Sequence, residues 1–352
     1  MSPGATMKSV AQAVGVSLST VSNAYNRPEQ LSAEMRGRIL DKARELGYAG
    51  PDAAARSLRS RRSGAIGLLL TERLSYAFSD PFAVGLLAGL SEEAERTRTG
   101  LLLIPLPRFD AGADAVALQE SVEAMRSAVI DGVVAYCVDV GHPALDVIAS
   151  RGLPFAHTDD EIDLPGRRVV IDEAGATRAI GEHLARLGHT DVAMVVDSGR
   201  ADDTPAEIVE ESELYTNARL RVQGVREGLG PNGHLTIVSR GHNSVESGIA
   251  AAEVVLDRRD RPTAITAGGD VLAFGVIEAM RRRGLVPGRD ISVTGFDDIP
   301  AAEAGGLTTV RQPIREKGRL LGRMLLDPSY TEDRVVLPTE LVVRSSTGPV
   351  RN

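Results

Sequence analysis

The chain has 352 residues, of which 43% are hydrophobic, 25% charged and only 3% aromatic, with no Trp; this length fits two or three domains with sizeable cores, and the composition is that of a globular protein. No uninterrupted apolar run approaches the roughly 18 residues of a membrane span, and the first 26 residues lack the basic start, apolar stretch and cleavage site of a signal peptide, so a cytoplasmic protein is expected. The net charge of −8 hides an asymmetry: residues 1–64 hold ten Lys and Arg against five Asp and Glu, which leaves −13 for the remainder and suggests a small basic module that meets a polyanion, joined to an acidic body that does not.

In chain order, residues 7–14 read as a first helix with Val10, Ala11 and Val14 apolar. Gly15-Val16-Ser17 breaks it, Gly15 supplying a positive φ and Ser17 an N-cap. A second helix spans 18–26 and stops before Pro28. A third spans 32–46, capped by Ser32, with Gly47 at C′ and an apolar stripe of Ile39, Leu40, Ala43 and Leu46. Two short helices about such a turn are either a generic helical hairpin or a helix-turn-helix, whose second helix enters the major groove. The basic charge favours the latter, with Leu18, Ser19, Thr20, Ser22 and Asn23 facing DNA, Asn26 at the end of the same helix, and Val16 and Val21 packed inward. Beyond Pro51, the basic run at 53–62 is either a solvated linker or a short helix that folds only when a duplex supports it. In the second case Arg56 and Arg59 meet DNA and Leu58 is an apolar wedge in the minor groove.

After Gly64 the pattern alternates. Strands are expected at 65–70, 101–105, 132–136, 153–156, 169–171, 192–196, 235–238, 264–266 and 291–296, several of them continuously apolar as in buried parallel sheets. Helices lie between them, among them 82–97, 173–187, 217–229, 270–283 and 314–325. The alternation implies α/β architecture with parallel sheets, and its length fits two lobes, with ligands at the carboxyl ends of strands or between the lobes. The expected organisation is a helical headpiece at 1–50, a hinge helix and linker at 51–64, and a two-lobed body at 65–352.

No catalytic set emerges. Glycine-rich nucleotide motifs and a Gly-x-Ser-x-Gly elbow are absent, and the six His show no metal-ligand spacing. His189, behind Gly188, is expected to cap a helix terminus. Cys137 stands alone, which excludes a disulfide within the chain and a Cys-based zinc cluster. The expectation is a protein that is not an enzyme and holds no metal and no cofactor.

The segment from Met7 through Leu70 resembles the N-terminus of LacI/GalR-family bacterial repressors, and the likeness continues through DPFAVGLLAGL, EHLARLGHTDVAMV and DISVTGFDDIPAAEAGGLTTVRQP. It covers almost the whole chain. It implies a DNA-binding headpiece, a hinge helix and a body like periplasmic sugar-binding proteins, acting as a homodimer on a palindromic double-stranded DNA operator under control of a small-molecule effector. The hinge leucine that opens the operator centre falls on Leu58. The resemblance also implies effector contacts at Asp159, at Arg221 in RLRVQG, at Asp297 in GFDD and at Phe82; these residue types suit hydroxyl or amino groups, although the carboxylates could equally cap strands and Phe82 could be core.

Departures accompany the matches. Asn243 stands where relatives often place an aromatic wall, and Gly269 replaces a common Asn. With no Trp, ring stacking falls to Phe82, Phe78, Tyr76, Tyr136 or Tyr215. The acidic stretch at 202–213 has no family counterpart and reads as a solvated loop or as a holder of a cationic group. A sugar or related polar metabolite is the expected effector. The rival readings, a solute-binding protein and a sugar- or nucleotide-modifying enzyme, lack a signal peptide and a catalytic set respectively.

Overall fold

The structure is a computed structural model that describes residues 5–50, 62–71, 74–107, 114–160, 165–197, 206–211 and 214–351, with the backbone alone at 75 and 76. It divides into two compact units after Gly64.

The first unit is helical: α1 (Met7–Val14), α2 (Leu18–Asn26), a 3-10 turn at Pro28–Gln30 and α3 (Ala33–Glu45). Its boundaries follow from local chemistry. Thr6 and Ser9 cap α1 reciprocally, and Gly15 ends it at φ 76°, a left-handed conformation that costs least without a Cβ. Ser17 accepts from Thr20 N at 3.1 Å to start α2, and Ser32 from Met35 N at 3.2 Å to start α3. Val10, Ala11, Val21, Ala24, Ile39 and Ala43 are the buried core. So small a core leaves each cap, worth about 1 kcal/mol, a sizeable share of stability.

The second unit has two α/β lobes. One holds a six-stranded parallel sheet of β1 (Ala65–Thr71), β2 (Gly100–Leu106), β3 (Val133–Tyr136), β4 (Phe155–His157), β5 (Arg167–Ile171) and β12 (Arg334–Leu337), in the order β12-β5-β4-β3-β1-β2. The other has seven strands, β6 (Asp191–Val196), β7 (Glu207–Ile208), β8 (His234–Ser239), β9 (Ala264–Ala267), β10 (Ser292–Asp297), β11 (Thr308–Arg311) and β13 (Glu340–Val342), ordered β13-β11-β10-β9-β6-β8-β7. Only its edges, β7 on β8 and β13 on β11, are antiparallel. The chain passes between the lobes after β5, after β11 and after β12, at residues 172, 312–313 and 338–339.

Flanking helices are α4 (Leu74–Ala77), α5 (Pro81–Thr97), α6 (Ala115–Ser127), α7 (Pro143–Arg151), α8 (Glu173–Arg186), α9 (Thr216–Leu229), α10 (Val245–Leu256), α11 (Asp270–Arg282), α12 (Pro300–Ala304) and α13 (Ile314–Leu326). Three pairs, α5 with α13, α8 with α9 and α10 with α11, pack backbone to backbone through glycine. A Cβ on Gly89 would run into the Arg315 carbonyl and lie 2.8 Å from Arg319 N; one on Gly318 would lie 3.0 Å from Leu90 N. Gly181 with Gly224, and Gly248 with Gly275, do the same for the other pairs.

All nine expected strands form, the fourth displaced to Phe155–His157 because its expected start, Leu153-Pro154, directly follows the left-handed helix cap Gly152 (φ 59°) and includes a proline, which has no N–H for the ladder. Strands β7, β11, β12 and β13 were not expected. All four are short, and β7, β11 and β13 carry Thr, Arg or Glu in place of an apolar run; Thr309, for example, is buried but donates to Asp270 Oδ1 at 2.6 Å. His189 caps the helix terminus as expected, though through its backbone and not its ring. The backbone N–H of His189 closes α8 on the Leu184 carbonyl, whereas the buried ring lies 2.9 Å from Thr263 Oγ1 and 3.0 Å from both Ser292 Oγ and the Gly348 carbonyl. It therefore ties strand-end residues to the C-terminal segment.

Candidate functional site

In the helical unit, Leu18 is half exposed at 51%, and Ser19 and Asn26 are exposed on α2, while Val21 and Ala24 on the opposite face are buried. The second helix therefore presents small polar side chains to solvent and its apolar side to the core, which is the arrangement base reading requires. Thr20, Ser22 and Asn23 are half-buried and already engaged: Thr20 Oγ1 lies 2.7 Å from Ser17 Oγ, Asn23 Nδ2 donates to Gln30 Oε1 at 3.0 Å, and Asn26 Nδ2 donates to Ser22 Oγ at 3.2 Å. These bonds preset the rotamers of the outward row. Arg56, Leu58 and Arg59 lie outside the described residues.

In the body, a cavity of about 350 Å³ opens between the lobes at the carboxyl ends of the strands, and Phe82, Asp159, Arg221 and Asp297 all line it. From the first lobe, Asp80 caps α5 by accepting from Ala83 N at 3.2 Å, which fixes Phe82 in the first turn. The Phe82 ring stacks on Tyr136, centroids 5.1 Å apart and planes inclined by 15°. Asp159 follows β4 and is buried. Of the other aromatic candidates, Tyr215 lines the cavity and donates to Asp197 Oδ1 at 2.7 Å. Phe78 is exposed and outside the lining, and the Tyr76 side chain is not among those described.

From the second lobe, Arg221 on α9 reaches the cavity with Nε on Glu173 Oε2 at 2.7 Å, Nη1 on the Gly268 carbonyl, and its guanidinium 3.9 Å from the Phe296 ring centroid. Burial works against that charge, but the Glu173 carboxylate overrides it and holds the pKa above its ordinary value. Asp297 ends β10 at φ 110°, strain of a kind that collects at ligand sites. Burial drives its carboxyl well above the usual range, Arg221 opposing and Asp270 adding to the rise.

Three residues that sequence reasoning missed complete the cleft. Gln312, in the passage between the lobes, donates from Nε2 to Asp297 Oδ1 at 2.6 Å and accepts from Lys317 Nζ at 2.9 Å. Lys317 belongs to α13 of the first lobe, so this chain of hydrogen bonds spans both lobes. Glu173 is the third. A signal for Lys317 existed: with Leu321 and Met324 at i+4 and i+7 it occupies the apolar stripe of α13, where a solvated lysine does not belong. Asn243, at the position of the expected aromatic wall, lines the cavity, and a Cβ on Gly269 would lie 3.2 Å from its Oδ1, so the two departures fit one another. In the acidic stretch, Glu207–Ile208 forms β7 and Glu211 pairs with Arg226.

Residues 6–50 match the model for bacterial regulatory proteins of the lacI family, and residues 182–347 that for a periplasmic binding protein-like domain. An HTH-type transcriptional regulator of Mycolicibacterium smegmatis is 42% identical over 365 residues, covering 98% of this chain and 97% of the relative. The chain belongs to the LacI family. A solved LacI-family transcriptional regulator from Corynebacterium glutamicum is 34% identical and superposes with a TM-score of 0.72 over 97% of this chain and 98% of its own. The regulator CelR, solved in complex with cellobiose, is 25% identical with a TM-score of 0.66 over 97% and 99% of the two chains. The LacI-family headpiece and the periplasmic-binding-like body thus account for both units, as a DNA-binding transcription regulator. Among the described residues, no helix is long and apolar enough to cross a membrane.

Proposed function

We propose that this chain is an effector-responsive repressor that binds a palindromic operator as a homodimer in the cytoplasm and senses a small polar metabolite, a sugar or related compound, in the cleft between its lobes. The carrying observation is the convergence of Phe82 and Asp159 from one lobe and Arg221 and Asp297 from the other on one cavity. A compound spanning them favours one lobe arrangement over another, and differential affinity of this kind shifts a conformational equilibrium. The cellobiose complex of CelR supports a carbohydrate. For the operator, Leu18, Ser19, Thr20, Ser22, Asn23 and Asn26 read bases, and Arg56, Leu58 and Arg59 work the minor groove. The proposed organisation is headpiece 1–50, hinge and linker 51–64, and sensing and dimerisation body 65–352. Exposed Leu102 on the edge strand β2 and Val116 on α6 beside it suit contact with a second copy.

The experiment is reciprocal linkage. Operator affinity is measured by fluorescence anisotropy with and without each sugar of a panel, and sugar affinity with and without operator. The two ratios should agree, at about 1–3 kcal/mol of coupling, and Arg221→Ala should remove the response. A full response in Arg221→Ala, or an operator affinity that no sugar of the panel changes, would refute the sensing site.

A further inference from the structure

Lys317 is a buried ammonium in the wall of the cleft, its residue only 3% exposed. Among the described residues its Nζ has one hydrogen-bond partner, the neutral Gln312 Oε1 at 2.9 Å, and no carboxylate within ion-pair distance; the face of Phe82 lies 5.5 Å away. An ammonium carries three donors. Burying a charge whose donors are mostly unused is strongly unfavourable, so the two remaining hydrogens at a cavity wall point to something that enters the cavity. We propose that Lys317 is the first-lobe anchor of an uncharged polyhydroxy effector, donating from Nζ to oxygens of the compound. The inference rests on the cleft being the effector site.

The charge of the compound follows from the rest of the lining. Among the described residues, six Asp and Glu side chains line the cavity against three cations, Arg219, Arg221 and Lys317. The planar fork of a guanidinium is the usual clamp for phosphate or carboxylate, but that of Arg221 is taken up by Glu173 and the Gly268 carbonyl. A phosphate ester or sugar acid entering here meets an acidic surplus. An amino compound meets Lys317 itself. Hydroxyl groups suit both sides, because they accept from Nζ and donate to carboxylates. The same side chain reaches Asp297 through Gln312, so the contact engages first lobe, interlobe passage and second lobe together.

The test uses the full chain, with thermal shift and calorimetry. The probes are pentoses, hexoses, disaccharides and linear and cyclic polyols, each beside its phosphate ester, its acid and its amino counterpart. Stabilisation should be confined to uncharged members. The tightest of these should lose at least tenfold in affinity in Lys317→Met while the melting temperature of that variant without ligand does not fall; Lys317→Gln, which keeps a donor without the charge, should lie between. A charged member that binds as tightly as its parent, or unchanged affinity in both variants, overturns the proposal while leaving the cleft as effector site. No stabilisation by any compound overturns both. Should Lys317→Met not fold, Lys317→Gln carries the comparison.

Discussion

Replacing Gly89 by Ala adds one methyl group where α5 and α13 touch. At an exposed helix position the change is favourable by about 1 kcal/mol, since Ala has the higher helix propensity. Here the new Cβ would run into the Arg315 carbonyl and lie 2.8 Å from Arg319 N, so the two helices must part by roughly 1 Å, and overpacking of this kind costs about 1–3 kcal/mol. A gap of 0.5–1 Å also forfeits about a quarter to a half of each dispersion contact along the seam. The overpacking and the lost contacts outweigh the propensity gain, and the body should lose about 2 kcal/mol, a fall of about 4 °C for a unit of this size. Gly37→Ala is the matched control, because no atom lies within 4 Å of its Cβ position in α3; it should stabilise the headpiece by about 0.5–1 kcal/mol. Scanning calorimetry of both variants reads the two signs. Because α5 carries Phe82 and α13 carries Lys317, parting them also widens the cleft wall, and stabilisation by a bound sugar should shrink in Gly89→Ala. A Gly89→Ala body as stable as the wild type would show that the helices do not approach as closely as described.

Operator affinity should fall linearly with salt on a logarithmic scale, with a slope of about −0.9 per phosphate neutralised; a flat salt titration by anisotropy would remove the electrostatic account of the basic headpiece. Leu58→Ala should weaken palindrome binding and reduce DNA bending in a circular-permutation assay while sparing sugar affinity; unchanged bending returns this segment to a linker. Acid should destabilise the body through His157, which burial lowers from 6.5 to about 4. The unfolded chain then binds the proton first, so stability is full above about pH 6.5 and declines down to about pH 4, by about 3 kcal/mol for this group. His157→Phe should flatten the melting temperature over that window, and an unaltered pH profile would show that the imidazole is not responsible.

Much of the fold is written in local patterns. Gly15, Ser17 and Ser32 mark helix ends by backbone conformation and capping, which act over a few residues, so the three headpiece helices are legible one residue at a time. The long apolar strands such as β1 and β6 are legible by their continuity. Strand β11 is not, because Thr308 and Thr309 form hydrogen bonds to the Arg344 carbonyl and to Asp270, partners 36 and 39 residues away. The same holds for the cleft. Phe82, Asp159, Arg221 and Asp297 follow from family resemblance and all line one cavity. Gln312 and Glu173 stand at passages between the lobes, and their roles depend on how two sheets face one another, a relation no short window of sequence contains.

The interleaving of the lobes also has a temporal side. The first lobe needs α13 and β12, and the second needs β13 and the segment around Gly348 that His189 holds, so each lobe waits for residues near the carboxyl end. The headpiece is contiguous and complete by residue 50. Domains generally fold as units from the N-terminus during synthesis, so on the ribosome a module equipped to touch DNA precedes by about 300 residues the apparatus that is to govern it. A product that stops before β12 would carry the reader without the sensor, and neither lobe can be exchanged between relatives as a single uninterrupted stretch of coding sequence.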